Sequence, residues 1–306
     1  MDKIKAMQAL VRIVDANSFT RAAESLNLPR AALTATIQKL ERHLGAQLLQ
    51  RTTRRMSLTP EGERYYAQCV EILAAIDAAE GAITGHAGRA LQGTLRIDMP
   101  GALGRNIVLP CIGQFRALHP ELNLTISLGD RLADLTAEGI DCALRVGTLQ
   151  DSSMIARRIG LMRFVIAAAP SYLARRGMPA SVQNLSEHES VVHFSGRSGR
   201  AFAWEIEHAG GRQTVSLSGA VAVNDADANL LCALQGLGLA QLARFQVRTH
   251  VARGALVEVL PGVTPTPMPV SLLYPQGRMA NARLQAFADW LGALFDNDPD
   301  LALAHD

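Results

Sequence analysis

Residues 18–59 read SFTRAAESLNLPRAALTATIQKLERHLGAQLLQRTTRRMSLT and carry the most informative local pattern of the 306-residue chain. A short helical stretch, Phe19 to Leu26, is separated by a tight break at Asn27 from a longer one. Ser18 can cap the shorter helix by accepting a backbone N–H from its first turn. Pro29 suits the first position of the longer helix, where its missing N–H has no partner in any case. Two helices joined in this way indicate a helix-turn-helix over about Phe19 to Gln38.

The longer helix has an apolar face and a polar face. Leu33, Ile37, Leu40 and Leu44 recur at helical spacing and predict the buried stripe, and Gly45 can end the helix. The polar face holds side chains that suit base edges in a major groove: Arg for guanine, Gln for adenine, Thr and Ala for thymine methyls. The predicted base-reading residues are Arg30, Ala31, Thr34, Ala35 and Gln38.

A basic β ribbon is expected directly after this helix. Residues 48–51 and 54–58 read as two strands joined by a polar turn. Arg51, Arg54 and Arg55 cluster there, and a cluster beside a helix-turn-helix favours phosphate contact over mere solvation. Ser18 and Thr20 complete the predicted DNA-binding set.

Charge is distributed unevenly along a chain of otherwise ordinary composition. Residues 1–66 hold 11 Lys and Arg against 6 Asp and Glu, while the remainder holds 19 against 22. The basic end is therefore the end expected to meet phosphates. The N-terminal sequence MDKIK has no apolar signal core, and no run of about 18 apolar residues occurs. We expect a cytoplasmic protein with no membrane partner.

Two further helices flank the helix-turn-helix. The first is expected over Lys3 to Ala16, with an apolar stripe of Met7, Leu10, Val11 and Val14. The second begins after Thr59, a good N-cap, and continues to about Thr84. Its apolar seam, close to a period of 3.5 residues, consists of Tyr66, Val70, Leu73, Ile76 and Ile83. We interpret the seam as a dimerisation surface; packing against the chain's own domain is the alternative.

From Thr94 onward, β-rich apolar runs alternate with helical ones, which predicts a parallel sheet covered by helices. The first set has strands at 94–99, 122–128 and 141–146, and helices near 105–118 and 132–139. The second has strands at 164–169, 191–194, 214–223, 237–242, 256–260 and 270–274, and helices at 226–235 and 280–295.

Two such halves enclose a cleft, and open α/β sheets bind ligands beyond the carboxyl ends of their strands. Loops rich in Gly, Ser, Thr and Arg suggest a small organic acid as the ligand. Arg145 could face this ligand or pair with a carboxylate, and the structural role is favoured. The predicted effector-binding residues are Pro100, Gly101, Ala102, Leu103, Thr148, Phe194, Ser195 and Asn224.

The N-terminal segment resembles the winged helix-turn-helix of the LysR-type transcriptional regulators. The matching positions are Ser18-Phe19, Ala22-Ala23, Leu26, Ile37, Leu40-Glu41, Leu44-Gly45, Arg51 and Leu58-Thr59-Pro60-Glu61-Gly62. Pro29 stands where the family often has Ser, and Thr34-Ala35 where it often has Ser-Arg. Because these positions face DNA, we expect the chain to have an operator sequence of its own.

The C-terminal region is similar to the effector domain of the same family. The matching stretches are GTLRI at 93–97, Leu109-Pro110, His119-Pro120, GIDCALRVG at 139–147, APSYL at 169–173, Asn224-Asp225, GLGLA at 236–240 and GALVEVL at 254–260. The resemblance implies an N-terminal winged helix-turn-helix, a long linker helix, and an α/β effector domain of two Rossmann-like subdomains, like type 2 periplasmic binding proteins. The implied boundaries are 1–59, 60–88 and 92–300, with subdomain I at 92–163 and 267–297 and subdomain II at 164–266.

The resemblance also implies the partners: double-stranded DNA, further copies of the chain as a homodimer or homotetramer, a small-molecule effector, and RNA polymerase. No cofactor, metal site or enzymatic activity is expected, because the eight histidines lack metal-ligand spacing and Ser195 is not in a nucleophile elbow. Two alternatives stay open. One is a redox-responsive regulator acting through Cys69, Cys111, Cys142 or Cys232, and the other is a plain solute-binding module.

Overall fold

The computed structural model of the protein describes residues 1–16, 18–51, 56–84, 91–129, 140–149, 154–208, 211–275 and 281–303. The predicted helix near 132–139 and the tip of the predicted ribbon lie outside these residues. No helix in the described part of the chain is both long and apolar enough to cross a membrane.

The N-terminal unit consists of three packed helices and a two-stranded ribbon. Its elements are α1 (Lys3–Ala16), α2 (Phe19–Ser25), α3 (Arg30–Leu44), β1 (Leu49–Arg51), antiparallel β2 (Met56–Leu58) and α4 (Pro60–Thr84). Leu33, Ile37 and Leu40 of α3 are fully buried, as predicted. Ala22 and Ala23 of α2 are buried in the same core; these small side chains allow the helices to cross closely.

Three details of this unit correct the sequence-based expectations. The buried face of α1 is centred on Ala6, Leu10 and Ile13, and Met7, Val11 and Val14 are only partly buried. Leu44 is exposed, because α3 ends there and Gly45 turns the chain away with φ +66°. Pro29 is the extended residue before α3, so the helix begins at Arg30.

The remaining two-thirds of the chain forms an α/β domain. Its strands are β3 (Gly93–Met99), β4 (Leu122–Leu128), β5 (Cys142–Val146), β6 (Met154–Met162), β7 (Phe164–Ala168), β8 (Val191–His193), β9 (Trp204–His208), β10 (Gly211–Val215), β11 (Val221–Val223), β12 (Ala240–Ala243), β13 (Val257–Glu258), β14 (Thr264–Pro265) and β15 (Met268–Pro275). Its helices are α5 (Gly101–Leu103), α6 (Leu109–Leu118), α7 (Pro170–Arg176), α8 (Ala226–Leu234), α9 (Arg244–Ala252) and α10 (Ala282–Asp296), with a π-helical turn, Gly104–Val108, between α5 and α6 and a 3₁₀ turn at Gln183–Glu187.

Lobe I is the five-stranded sheet β4-β3-β5-β15-β6 with the helices that cover it. The parallel sheet predicted for the first set of strands is confirmed, since β4, β3 and β5 are parallel. Strand β15, from the second set, runs antiparallel to both β5 and β6. The reason is connectivity, since β6 leads into the other lobe and β15 returns from it. Phe115 of α6 and Phe287 of α10 meet edge to face at 5.5 Å in the core of this lobe.

Lobe II consists of the strands β7 to β14. Strand β7 lies between antiparallel β12 and β13, β8 and β11 pair in parallel, and β9 lies between β10 and β14. The predicted single strand at 214–223 is wrong, because β10 ends at Val215 and β11 begins at Val221. Strands β6, β9 and β14 and helices α7 and α9 are not predicted from the sequence. Strand β6 is half-exposed over Ile155 to Arg158, so its pattern lacked a continuous apolar run.

A tight joint connects the N-terminal unit to α4. The Thr59 hydroxyl caps α4 by accepting the Gly62 N–H at 2.9 Å, and it donates to the Gln47 carbonyl at 2.6 Å. The Thr59 N–H donates to the Leu48 carbonyl at 3.0 Å. A Cβ on Gly62 would lie 2.0 Å from the Leu48 carbonyl oxygen, so only glycine allows α4 to start this close to the ribbon.

We predict that Gly62→Ala destabilises the N-terminal unit by about 1–3 kcal/mol, because the added methyl overpacks the joint. Gly113→Ala is the matched control, since Gly113 is also helical and a Cβ there meets nothing within 4 Å. That variant should gain about 0.5–1 kcal/mol from the better helix propensity of alanine. Denaturant unfolding followed by circular dichroism measures both changes. Equal stability of the two variants would contradict the claim that the close contact at this joint requires glycine at residue 62.

Candidate DNA-binding and effector sites

The polar face of α3 is presented to solvent. Arg30, Ala31, Ala35 and Gln38 are exposed and Thr34 is half-buried. The Arg42 guanidinium folds back and donates to the Gln38 backbone carbonyl at 3.3 Å. Five short or hydrogen-bonding side chains thus share one exposed helical face, a shape that fits a major groove.

The carboxylate of Glu41 fixes this helix relative to the ribbon. Its Oε1 accepts the backbone N–H groups of Leu48 at 2.9 Å and Leu49 at 3.2 Å. The sequence pattern alone does not indicate a role for Glu41. Its role is to orient the first ribbon strand against the end of α3, so that helix and ribbon approach a ligand as one surface.

Ser18 and Thr20 lie at the start of α2. The Ser18 hydroxyl accepts the Arg21 N–H at 3.3 Å, so it caps the helix as expected. Thr20 is exposed in the first turn, where unsatisfied N–H groups favour an anion such as phosphate. Arg54, Arg55 and the side chain of Arg51 lie outside the described part of the chain.

The predicted effector residues follow the carboxyl ends of four strands. Pro100 to Leu103 follow β3, Thr148 follows β5, Phe194 and Ser195 follow β8, and Asn224 follows β11. Thr148 and Asn224 are exposed, and Pro100, Phe194 and Ser195 are half-buried. Gly101, Ala102 and Leu103 are buried, and the Leu103 side chain lies wholly in the lobe I core. Leu103 can therefore offer a ligand its backbone only.

Lobe II brings its three predicted effector residues together through a tight turn. The Phe194 N–H donates to the Val223 carbonyl at 2.9 Å, and the Gly199 N–H donates to the Ser195 carbonyl at 2.8 Å. A Cβ on Gly196 would lie 3.0 Å from the Asn224 amide nitrogen, so the turn packs directly on Asn224. Beside it, burial lowers the pKa of His193, and the nearby Asp225 carboxylate opposes that shift.

Arg145 has the structural role that the sequence analysis favoured. Its Nη2 lies 2.7 Å from Asp98 Oδ2, and both side chains are only 9% exposed. The pair ties β5 to β3 within lobe I. Because removing one partner of a buried ion pair leaves an uncompensated charge, replacing Arg145 by a neutral residue should cost about 3–5 kcal/mol.

The four thiols are unpaired and chemically unequal. Cys69 and Cys142 are buried, whereas Cys111 and Cys232 are half-buried. Burial raises the pKa of Cys69 to about 11, against a smaller lowering by its hydrogen bond with Tyr65. Burial, with help from the Asp141 carboxylate, also raises the pKa of Cys142. Among the described residues, no group of three His, Cys, Asp or Glu side chains is placed to hold a metal ion.

Comparison with known proteins matches both parts of the chain. A family model for the bacterial regulatory helix-turn-helix protein, lysR family, matches residues 4–63, and one for the LysR substrate binding domain matches residues 88–296. The HTH-type transcriptional regulator YhjC of Escherichia coli (strain K12) is 38% identical over 295 residues, which are 96% of this chain and 98% of that one. An HTH-type transcriptional repressor of Pseudomonas aeruginosa is 37% identical over 303 residues, 99% of this chain and 95% of that one.

Solved structures agree with these matches. CrgA of Neisseria meningitidis, a LysR-type transcriptional regulator, has a TM-score of 0.61 and 30% identity, and the match covers 94% of this chain and 97% of that one. A full-length variant of OxyR from Pseudomonas aeruginosa has a TM-score of 0.65 at 15% identity, covering 99% of this chain and 98% of that one, so it shares the fold.

We predict that thiol alkylation separates the cysteines into two pairs. At pH 7.5 in the folded protein, Cys111 and Cys232 should react with iodoacetamide. Cys69 and Cys142 should react only after unfolding, because burial suppresses both access and thiolate formation. Mass spectrometry of the labelled peptides makes the measurement. Labelling of Cys69 in folded protein at the rate of a free thiol would contradict the burial.

Proposed function

This chain belongs to the LysR-type family of transcriptional regulators, and on that premise we propose how it binds DNA and how it is switched. It is a helix-turn-helix regulator of transcription with a C-terminal effector-binding domain. In our proposal, α3 and the basic ribbon bind an operator as part of a homodimer, and a small organic acid between the lobes alters that binding. The observation that carries the proposal is the exposed polar face of α3, which Glu41 and Thr59 fix relative to the ribbon and α4.

DNA recognition divides between base edges and phosphates. Arg30, Thr34 and Gln38 supply hydrogen bonds to bases, and Ala31 and Ala35 leave room for thymine methyls. The ribbon arginines Arg51, Arg54 and Arg55 and the first turn of α2, with Ser18 and Thr20, contact the backbone. Phosphate contacts of this kind position the protein without reading sequence.

The connecting helix α4 is divided between its own domain and a second copy. Tyr66 donates to the Asp15 carboxylate of α1 at 2.6 Å, and Cys69 is buried in the N-terminal core. The first turns of α4 are therefore occupied by the chain's own α1, which supports the alternative interpretation for that part of the seam. Further along, Ile72 is 41% exposed and Leu73 and Ile76 are half-buried, so we assign dimerisation to this part.

A dimer places two copies of α3 on two half-sites, so the distance between them depends on the effector domains that α4 supports. An effector that prefers one lobe arrangement shifts the population toward it, and DNA geometry follows. A homotetramer and a contact with RNA polymerase extend this scheme. The scheme contains no catalytic step, and because its partner is chromosomal DNA, we place its action in the cytoplasm.

The effector site combines both lobes. Backbone N–H groups at Gly101 and Ala102, after β3, and the side chains of Thr148, Ser195 and Asn224 can hydrogen-bond a carboxylate, while Pro100 and Phe194 supply apolar contact. Such a mixture of apolar surface and a few convergent polar groups is typical of small-molecule sites. We propose an organic acid as the effector because these groups can hydrogen-bond its carboxylate.

The alternative function, a redox-responsive regulator, is suggested by one similar structure. That structure is the regulatory domain of AphB from Vibrio vulnificus treated with cumene hydroperoxide. In this chain the raised pKa values of Cys69 and Cys142 disfavour reaction with peroxide, which leaves Cys111 and Cys232 as its candidates. The solute-binding alternative does not account for the match of residues 4–63 to a DNA-binding family.

We predict that Gln38→Ala and Arg54→Ala weaken operator binding in different ways. Gln38→Ala should lose about 1–3 kcal/mol on the operator and little on random DNA, because it removes a base contact. Arg54→Ala should weaken both equally and reduce the slope of log K against log salt by about 1. Fluorescence anisotropy with operator and scrambled duplexes at several salt concentrations measures both. Equal losses on both duplexes for Gln38→Ala would refute its readout role.

We predict that Ser195→Ala and Asn224→Ala each weaken effector binding by about two- to twelvefold, the cost of one hydrogen bond. The probe is whichever carboxylic acid raises the melting temperature of the wild-type protein in a thermal-shift screen. Ser186→Ala is the matched control, since Ser186 is exposed in the 3₁₀ turn of lobe II. If titration calorimetry gives all three variants wild-type affinity, the acid binds elsewhere.

A further inference from the structure

Ion pairs join the two lobes, in addition to the connecting strands and the apolar contacts that Ala226, Ala243 and Phe245 make with the lobe I core. Arg105, in the π-helical turn of lobe I, donates from Nε to Asp227 Oδ2 at 2.6 Å. Its Nη2 lies 3.7 Å from Oδ2 of Asp225 and also pairs with Asp227. Both carboxylates belong to lobe II, where Asp225 precedes α8 and Asp227 lies in its first turn. These pairs hold α5 and its π-helical turn against α8.

Lobe II holds both carboxylates in position by itself. Asp225 caps α8, since its Oδ1 accepts the Ala228 N–H at 2.8 Å. Asp227 Oδ1 accepts the amide of Gln246 at 2.8 Å, and Gln246 is only 4% exposed on α9. The carboxylates are therefore preorganised, and the flexible Arg105 side chain meets them from lobe I.

The same ion pairs border the proposed effector residues on both sides. A Cβ on Gly101 would lie 2.6 Å from the Arg105 guanidinium, so this group lies directly over the first residue of α5. On the other lobe, Asn224 immediately precedes Asp225. Gly101 and Asn224 therefore lie beside the two ends of these ion pairs.

We propose that Arg105, Asp225 and Asp227 form a cleft latch, a set of positioning residues that fixes the lobe separation at which the effector binds. This proposal depends on the proposed function in one respect, namely that the effector binds in this cleft. The groups need not touch the effector. They act by keeping α5 and α8 at the separation that lets one ligand reach both lobes, which lowers the cost of closing the cleft.

The latch side chains are partly exposed to solvent, as expected for ion pairs that can separate. The side chains of Arg105 and Asp227 are 47% and 25% exposed. Ion pairs with this exposure favour one lobe arrangement over the other by about two- to fivefold. A ligand can readily reinforce or overcome a bias of this size. The buried pair of Arg145 and Asp98 differs in this respect, because water cannot compensate its charges when it separates.

The latch is tested by hydrogen–deuterium exchange of the full-length protein without added ligand. The variants are Arg105→Gln, Asp227→Asn and the two combined. Arg212→Gln is the matched control, because Arg212 is an exposed arginine that pairs with Glu205 and Glu207 inside lobe II. The measured quantity is the exchange rate of backbone amides in residues 101–108 and 226–234.

We expect each single variant to speed exchange in both segments by about two- to fivefold. The double variant should exchange like Arg105→Gln alone, because Arg105→Gln already removes the pairs with both Asp225 and Asp227. Arg212→Gln should leave both segments unchanged. Unchanged exchange in the single variants, or additive changes in the double one, would overturn the latch.

These outcomes are separate from those of the effector site. The exchange experiment contains no ligand, so the latch can fail while Ser195→Ala and Asn224→Ala still weaken acid binding. If the latch stands, Arg105→Gln should also weaken binding of the acid found in the thermal-shift screen by about two- to fivefold. Operator binding by the same variant without the acid, measured by anisotropy, confirms that the N-terminal unit is intact.

Discussion

The arrangement of the whole molecule depends on one close approach, that of the first turn of α4 to the Leu48 carbonyl. Thr59 serves both elements, since it caps α4 and its hydroxyl and amide bond to the backbone just before β1. Gly62 makes the approach sterically feasible. Without a rigid joint, α4 could move without moving α3; in the proposed dimer, a change in the effector domain would then not alter the spacing of the two recognition helices.

The second constraint is the way in which the chain crosses between the lobes. Strand β6 leaves lobe I and β15 returns antiparallel to it, so two adjacent strands connect the lobes. The C-terminal segment also connects the lobes. Leu301 is fully buried in the lobe I core, and Asp298 pairs with Arg248 of α9 at 3.1 Å. Burial and the Asp298 carboxylate raise the pKa of Asp300, and three arginines, Arg248 first, oppose the shift.

Two sets of ion pairs in this protein differ in both solvation and position. The buried pair of Arg145 and Asp98 fixes adjacent strands within one lobe, where no movement is required. The half-exposed pairs of Arg105 lie between lobes, where a lasting bond would prevent a response to ligand. A regulator needs both kinds, because a rigid lobe transmits displacement and a weak contact between lobes permits it.

The sequence by itself determined the elements whose cause is local. Helix caps at Ser18 and Thr59, the left-handed end of α3 at Gly45 and the stripe of Leu33, Ile37 and Leu40 depend on neighbours within a few residues, so spacing predicts them. The tertiary structure alone decided what depends on distant partners. Strand β15 is antiparallel because it returns from lobe II, Leu103 faces the core instead of the cleft, and Arg105 meets Asp227 across 122 positions of sequence. No local period encodes such pairings, because they arise only when the fold brings separate segments together.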